Sequence, residues 1–262
     1  MNITDIQQRI QYAKQIDFGT IFNQSIELFK KVWVQGLVTV LLNGVLAIPL
    51  IMIVYIPLIF LGFFDMYTTD YNYYDSGYQQ DFSPLLVLVS LLLYVFAIAT
   101  LSIVAFGLQA GFYRICKLRD LELLGKEDYF FFFKKQYLGK TVKLGLVCVG
   151  IAMLATMLCF FPVFYVMIPL TYVYLFYAFN PDKPISEIIN LSFSLGNKKW
   201  FITFGLIFVA GFLSGIVGLM MCGVGIYVTQ SFGRLPSYFI YKDVVGFDEE
   251  DDIVKIGEEV RF

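Results

Sequence analysis

Every lysine and arginine in this chain, 19 in all, falls in one of four segments: 9–31, 114–143, 183–199 and 234–261. The stretches 32–64, 82–113, 144–181 and 200–233 contain no Asp, Glu, Lys or Arg. Each is longer than the ~20 apolar residues a helix needs to cross a bilayer. Proline cannot donate a backbone hydrogen bond, so the third stretch is expected to break near Cys159-Phe160-Phe161-Pro162 into two spans. The fourth carries Gly218, Gly223 and Gly225 and is expected to break there and run on to Tyr241, with Arg234 snorkelling to the boundary. The pattern predicts six spans, near 33–62, 84–113, 141–160, 162–180, 200–218 and 221–241.

The placement of charge sets the expected orientation. The loop 65–83 carries Asp65, Asp70, Asp75 and Asp81 and no cation. Short loops rich in Lys and Arg stay cytoplasmic. With six spans, all four basic segments lie on that side and both termini are cytoplasmic. The chain is apolar at 58% of positions and charged at only 15%, where soluble domains carry about 25% charged residues. The expected fold class is all-α, a polytopic membrane bundle. Residues 1–243 form the membrane domain, and 244–262 form an acidic cytoplasmic tail containing Asp248 to Asp252. The polar start Met1-Asn2-Ile3-Thr4-Asp5 does not read as a cleavable signal peptide. Net charge is −2 and favours no nucleic-acid partner.

An element recurs before each expected hairpin, giving pseudo-repeats at about 17–113, 126–180 and 184–243. Each starts acidic, continues with an apolar run and ends in a Lys-Lys pair beside an aromatic. The pairs are Lys30-Lys31 before Trp33, Lys134-Lys135 before Tyr137, and Lys198-Lys199 before Trp200. Phe18, Ile21, Phe22, Ile26, Phe29 and Trp33 follow helical spacing, with Asp17 placed to cap them. These elements are expected to be interfacial helices on the cytoplasmic side, with the nine residues just named as anchors at headgroup depth.

The run Phe18-Gly19-Thr20-Ile21-Phe22 through Glu27-Leu28-Phe29-Lys30-Lys31 carries a family likeness. So do Ile188-Ile189-Asn190-Leu191-Ser192-Phe193, Lys198-Lys199-Trp200 and the glycine-rich last hairpin. Together they resemble bacterial multi-pass membrane proteins related to the membrane domain of glycerophosphodiester phosphodiesterases. The likeness extends over nearly the whole chain and implies an inner-membrane, multi-pass protein. No counterpart of the phosphodiesterase catalytic domain is present in these residues, so the resemblance implies no such activity here. Some similar-looking members carry a carotene-oxygenase label. Such oxygenases resemble a histidine-ligated iron site, and this chain has no histidine.

The absence of histidine removes the commonest general base and metal ligand. No carboxylate falls in an expected span, and no phosphate-binding or nucleophile motif appears. No enzyme, cofactor or metal site is therefore expected. Asp70, Asn72 and Asp81 fit positions 1, 3 and 12 of a calcium loop, but Tyr74 and Asp75 break the pattern at positions 5 and 6. Asn43 and Gln109 are the polar span residues placed to line a cavity or to bond between helices. Gly107 with Gly111, and Gly211 with Gly215, permit close helix contact, either within the chain or by self-association. The four cysteines form no CxxC and read as small buried hydrophobes.

Membrane lipids are the expected partners, with a membrane-protein partner or self-association as further possibilities. The expected role is a non-catalytic module organising lipid or a partner protein; the alternative is a transporter or channel for a lipid or small solute. The charge asymmetry has a direct test. Single cysteines replacing Lys135 and Asp75 should react with an impermeant thiol reagent from opposite faces of a sealed vesicle. Labelling of both from one face would overturn the topology.

Overall fold

The computed structural model describes residues 2–68, 84–158, 160–221, 223 and 225–247. Residues 69–83 of the acidic loop, the tail from 248, Cys159 and Cys222 lie outside the described residues. The described chain is helical, with no strand among these residues. The helices are α1 (Ile3–Gln11), α2 (Phe18–Thr68), α3 (Pro84–Asp120), α4 (Lys135–Met157), α5 (Phe160–Phe179), α6 (Ile185–Lys198), α7 (Trp200–Met220), α8 (Gly225–Thr229) and α9 (Leu235–Val244). Five of them, α2, α3, α4, α5 and α7, are long and apolar enough to cross a membrane.

Those five coincide with the first five expected spans. The outer parts of α2 and α3 pack on little protein: only 11% and 6% of their most apolar windows are buried, against 44% for α5. Leu41, Val45, Ile48, Met52, Tyr55 and Ile59 form an exposed stripe along α2 at helical spacing. Exposed apolar surface on this scale suits lipid rather than water.

The sixth expected span is not one helix. After α7 the chain turns at Gly223, whose φ of +80° suits a residue without a β-carbon. It then returns along α7 as α8 and a 3-10 turn at Phe232–Arg234, and ends as α9. Pro236 lies at the start of α9, where its missing N–H removes no helical bond. Ten residues are too few to cross a bilayer. Nearly all of α9 is buried, including Leu235, Tyr238, Phe239, Ile240 and Tyr241, and it packs on α2, α5 and α7. The apolar run there is apolar because protein surrounds it.

The three repeat elements also fold differently from one another. The first is the continuous beginning of α2. Asp17 caps it, taking the Thr20 N–H at 2.7 Å and the Thr20 hydroxyl at 2.9 Å. The Thr20 backbone bond draws the Asp17 carboxyl below its ordinary range. The second forms no α-helix before Lys135. Phe131–Phe133 make a 3-10 turn whose Phe132 is fully buried against Tyr177, at 4.5 Å between ring centroids. The third is α6, and its apolar face (Ile188, Leu191, Leu195) is covered by protein rather than lipid. An N-terminal helix, α1, is an addition to the sequence reading. Its Ile6 and Ile10 are buried, and it packs on α6.

The α5–α6 pair shows what proline and glycine do here. Pro169 lacks the N–H that would bond the Tyr165 carbonyl, four residues earlier in α5. The Trp200 indole N–H takes that carbonyl at 3.1 Å. Gly196 of α6 sits directly over the same proline: a β-carbon there would lie 2.7 Å from Pro169 Cα. Gly196→Ala should therefore destabilise the fold by about 1–3 kcal/mol despite alanine's better helix propensity. Thermal unfolding in detergent measures this, and a neutral or stabilising substitution would show that the two helices are not held this closely.

Candidate functional site

A concentration of interacting polar side chains lies between α3 and the end of the last hairpin. Gln109, Tyr113 and Asp120 share one face of α3 at helical spacing, with Cys116 among them. Arg234, Ser237, Tyr238 and Lys242 oppose them. The Arg234 guanidinium donates to Gln109 Oε1. Tyr113 Oη lies 3.2 Å from Ser237 Oγ, and Ser237 Oγ donates to the Arg234 carbonyl at 2.7 Å. One oxygen of Asp120 accepts both Tyr238 Oη at 2.8 Å and Lys242 Nζ at 2.6 Å.

The seam joins the last segment to the bundle through charge-assisted bonds, which are stronger than neutral ones. It also gives the half-buried Arg234 a buried partner in Gln109. Aromatic rings close its sides. Phe176, Phe179 and Phe247 pack on Tyr241, and Asn180 Nδ2 donates to Tyr241 Oη at 2.9 Å.

A second polar knot ties α2 to the loop after α3. Glu127 accepts from Arg119 Nε at 2.7 Å and from Gln35 Nε2 at 3.0 Å. Lys31 bonds Glu122 at 2.8 Å, and that lysine holds the Glu122 carboxyl below its usual range. Burial, then the nearby Glu127, pushes the Tyr129 phenol up to about 12, so it stays protonated at neutral pH.

Of the two cavity candidates, Gln109 belongs to the seam, with its Nε2 buried and unbonded among the described residues. Asn43 is half-buried on α2 and bonds to none of the described residues. The structure does not bring the two together in one site.

The nine anchor residues divide. Lys30, Lys31, Lys134, Lys135 and Lys198 are exposed, and Trp33 is 44% exposed. Lys30 bonds Glu27 and Lys134 bonds Asp128. Tyr137 stacks on Phe131. Trp200 stacks on Phe204 and gives its N–H to Tyr165, so its polar edge serves the fold. Lys199 is a correction. It is buried, and its Nζ donates to the carbonyls of Ala13 at 3.4 Å and Lys14 at 2.6 Å. Burial moves its amine below the ordinary lysine range. It binds the N-terminal segment instead of lipid phosphate.

The first glycine pair closes within the chain. A β-carbon at Gly107 would strike the Phe133 ring, and one at Gly111 would lie 2.8 Å from the Tyr129 carbonyl oxygen. The loop before α4 therefore packs directly on α3. The described cysteines, Cys116 and Cys148, are buried free thiols.

No protein-family model, curated protein or solved structure matches the chain.

The Asp120 junction yields a quantitative expectation. Asp120→Ala should cost about 2–3 kcal/mol, because two bonds to one charged acceptor are lost. Tyr238→Phe should cost about 1 kcal/mol. Denaturation of the single and double variants at Asp120 and Lys242 should show clear non-additivity, and strictly additive losses would mean the ion pair contributes nothing.

Proposed function

We propose that this chain is a non-catalytic membrane module that gathers anionic lipid at one basic face. On this reading it sits in the inner (cytoplasmic) membrane of a bacterium, with both termini cytoplasmic. The observation that carries the proposal is a set of exposed lysines next to exposed apolar surface. Lys135, Lys143 and Lys198 are exposed and pair with no carboxylate among the described residues. Beside them, Leu138 is 42% and Phe201 85% exposed at the starts of α4 and α7. An apolar flank topped by a free ammonium suits an acyl chain beneath a phosphate headgroup.

Contacts between the basic segments support the orientation. Arg9 donates to the Val245 carbonyl at 2.7 Å, which joins the N-terminal helix to the end of α9. Lys140 reaches the Pro181 and Lys183 carbonyls, and Lys199 reaches Lys14. Segments that touch share one side of a membrane. The non-catalytic reading is supported by the engagement of the seam's charged groups with one another: Asp120 already carries two donors.

The test is lipid retention. Native mass spectrometry of the protein released from mixed membranes should show phosphatidylglycerol retained over phosphatidylcholine. The combined substitution of Lys135, Lys143 and Lys198 by Gln should remove that preference at unchanged helix content. Equal retention of the two lipids by the unaltered protein would refute the proposal.

A further inference from the structure

The last hairpin holds a feature that lipid binding at the basic face leaves unexplained. A groove of about 410 Å³ runs between α7 and α8, lined by residues that include Gly211, Ser214, Gly215, Thr229 and Gln230. A β-carbon placed on Gly211 or Gly215 would meet no atom within 4 Å. This pair, unlike Gly107 and Gly111, opens outward.

Two polar groups in the groove are unsatisfied. Ser214 is only 8% exposed, and its Oγ has no hydrogen-bond partner among the described residues. The Gln230 side chain is exposed and bonds to none of the described residues. Its level is fixed by its neighbour: Thr229 Oγ1 donates to the Ser214 carbonyl at 2.8 Å, so Gln230 lies alongside the interior of α7. Acyl chains offer neither donor nor acceptor, so an amide at that level is unsatisfied in lipid.

We infer that this face is a homodimer interface, in which α7 of one copy crosses α7 of a second over Gly211 and Gly215. The open glycines let two backbones approach closely. The occupant is a second copy because the unmet groups are self-complementary. A primary amide carries both donor and acceptor, and a serine hydroxyl likewise. In a twofold interface each residue faces the same surface on its partner, so the exposed Gln230 amides can satisfy one another across the axis. A lipid tail fills volume but leaves that amide unbonded.

The full chain, labelled with donor and acceptor dyes, is diluted in phosphatidylcholine vesicles and energy transfer is followed. Transfer should be saturable and should fall with dilution as a monomer–dimer equilibrium. Gly211→Leu and Gly215→Leu should each weaken association by about tenfold or more, as expected when close packing is blocked. Gln230→Leu keeps the bulk and should weaken it about threefold to tenfold. It lies on the outer face, so it stays informative if a glycine variant loses its helical circular dichroism. Gly150→Leu, at an equally open glycine on α4, should leave association unchanged. Monomers at every dilution, as expected if an acyl chain fills the groove, would overturn the inference. So would wild-type association of both Gly211→Leu and Gln230→Leu, or an equal loss from Gly150→Leu.

Discussion

A cation in this bundle has to find oxygen, and three cations find it just past the C-terminus of a helix. Lys199 donates to the carbonyls of Ala13 and Lys14, beyond α1. Lys140 donates to those of Pro181 and Lys183, beyond α5. Arg9 donates to Val245, at the end of α9. These carbonyls lie outside the helical ladder, where a charged donor from another segment can bond them. The confinement of Lys and Arg to four segments is therefore more than a topological signal. It supplies long-range ties, spanning as much of the chain as Arg9 to Val245, that gather helix ends at one end of the bundle.

The same cations explain why the repeated element folds in three ways. A Lys-Lys pair fixes a level, because neither ammonium can enter hydrocarbon unpaired. It does not fix the backbone around it. Lys30 and Lys31 sit on an uninterrupted helix, Lys134 and Lys135 cap and open α4, and Lys198 and Lys199 close α6. The neighbours decide between these outcomes. Four phenylalanines in a row, Phe130 to Phe133, suit close packing, with Phe133 over Gly107, better than a one-sided helix. Ser192 and Gly196 give α6 a face that can approach α5.

Five spans were legible because charge-free length and proline position are local properties. Asp17 was legible as a cap for the same reason. What escaped depended on partners far along the chain. Leu235 to Tyr241 reads as span because burial in protein and burial in lipid select the same apolar residues; only the ten-residue length of α9 separates the two. Gln109 was identifiable as a polar span residue, but not its bond to Arg234, because that guanidinium reads equally well as snorkelling. Lys199 could not be told from Lys198, although one is buried and the other exposed. Helical phase would have separated them only with α1 recognised as a helix, and α1 is short and polar overall.

The two glycine pairs take this to its limit. Gly107 with Gly111 and Gly211 with Gly215 have identical spacing, and both sit on helices apolar enough to cross a membrane. Spacing states only that a backbone can be approached. What approaches depends on what else the chain can bring there. For α3, the loop to α4 is tethered close by and carries Phe133 and the Tyr129 carbonyl into the gap. For α7, the returning segment lies against Gly218 through α8 and beside Gly211 through Gly233, yet it leaves the β-carbon positions of Gly211 and Gly215 open. A small-residue face left open, bordered by an amide that bonds to none of the described residues, suits a second copy of the chain.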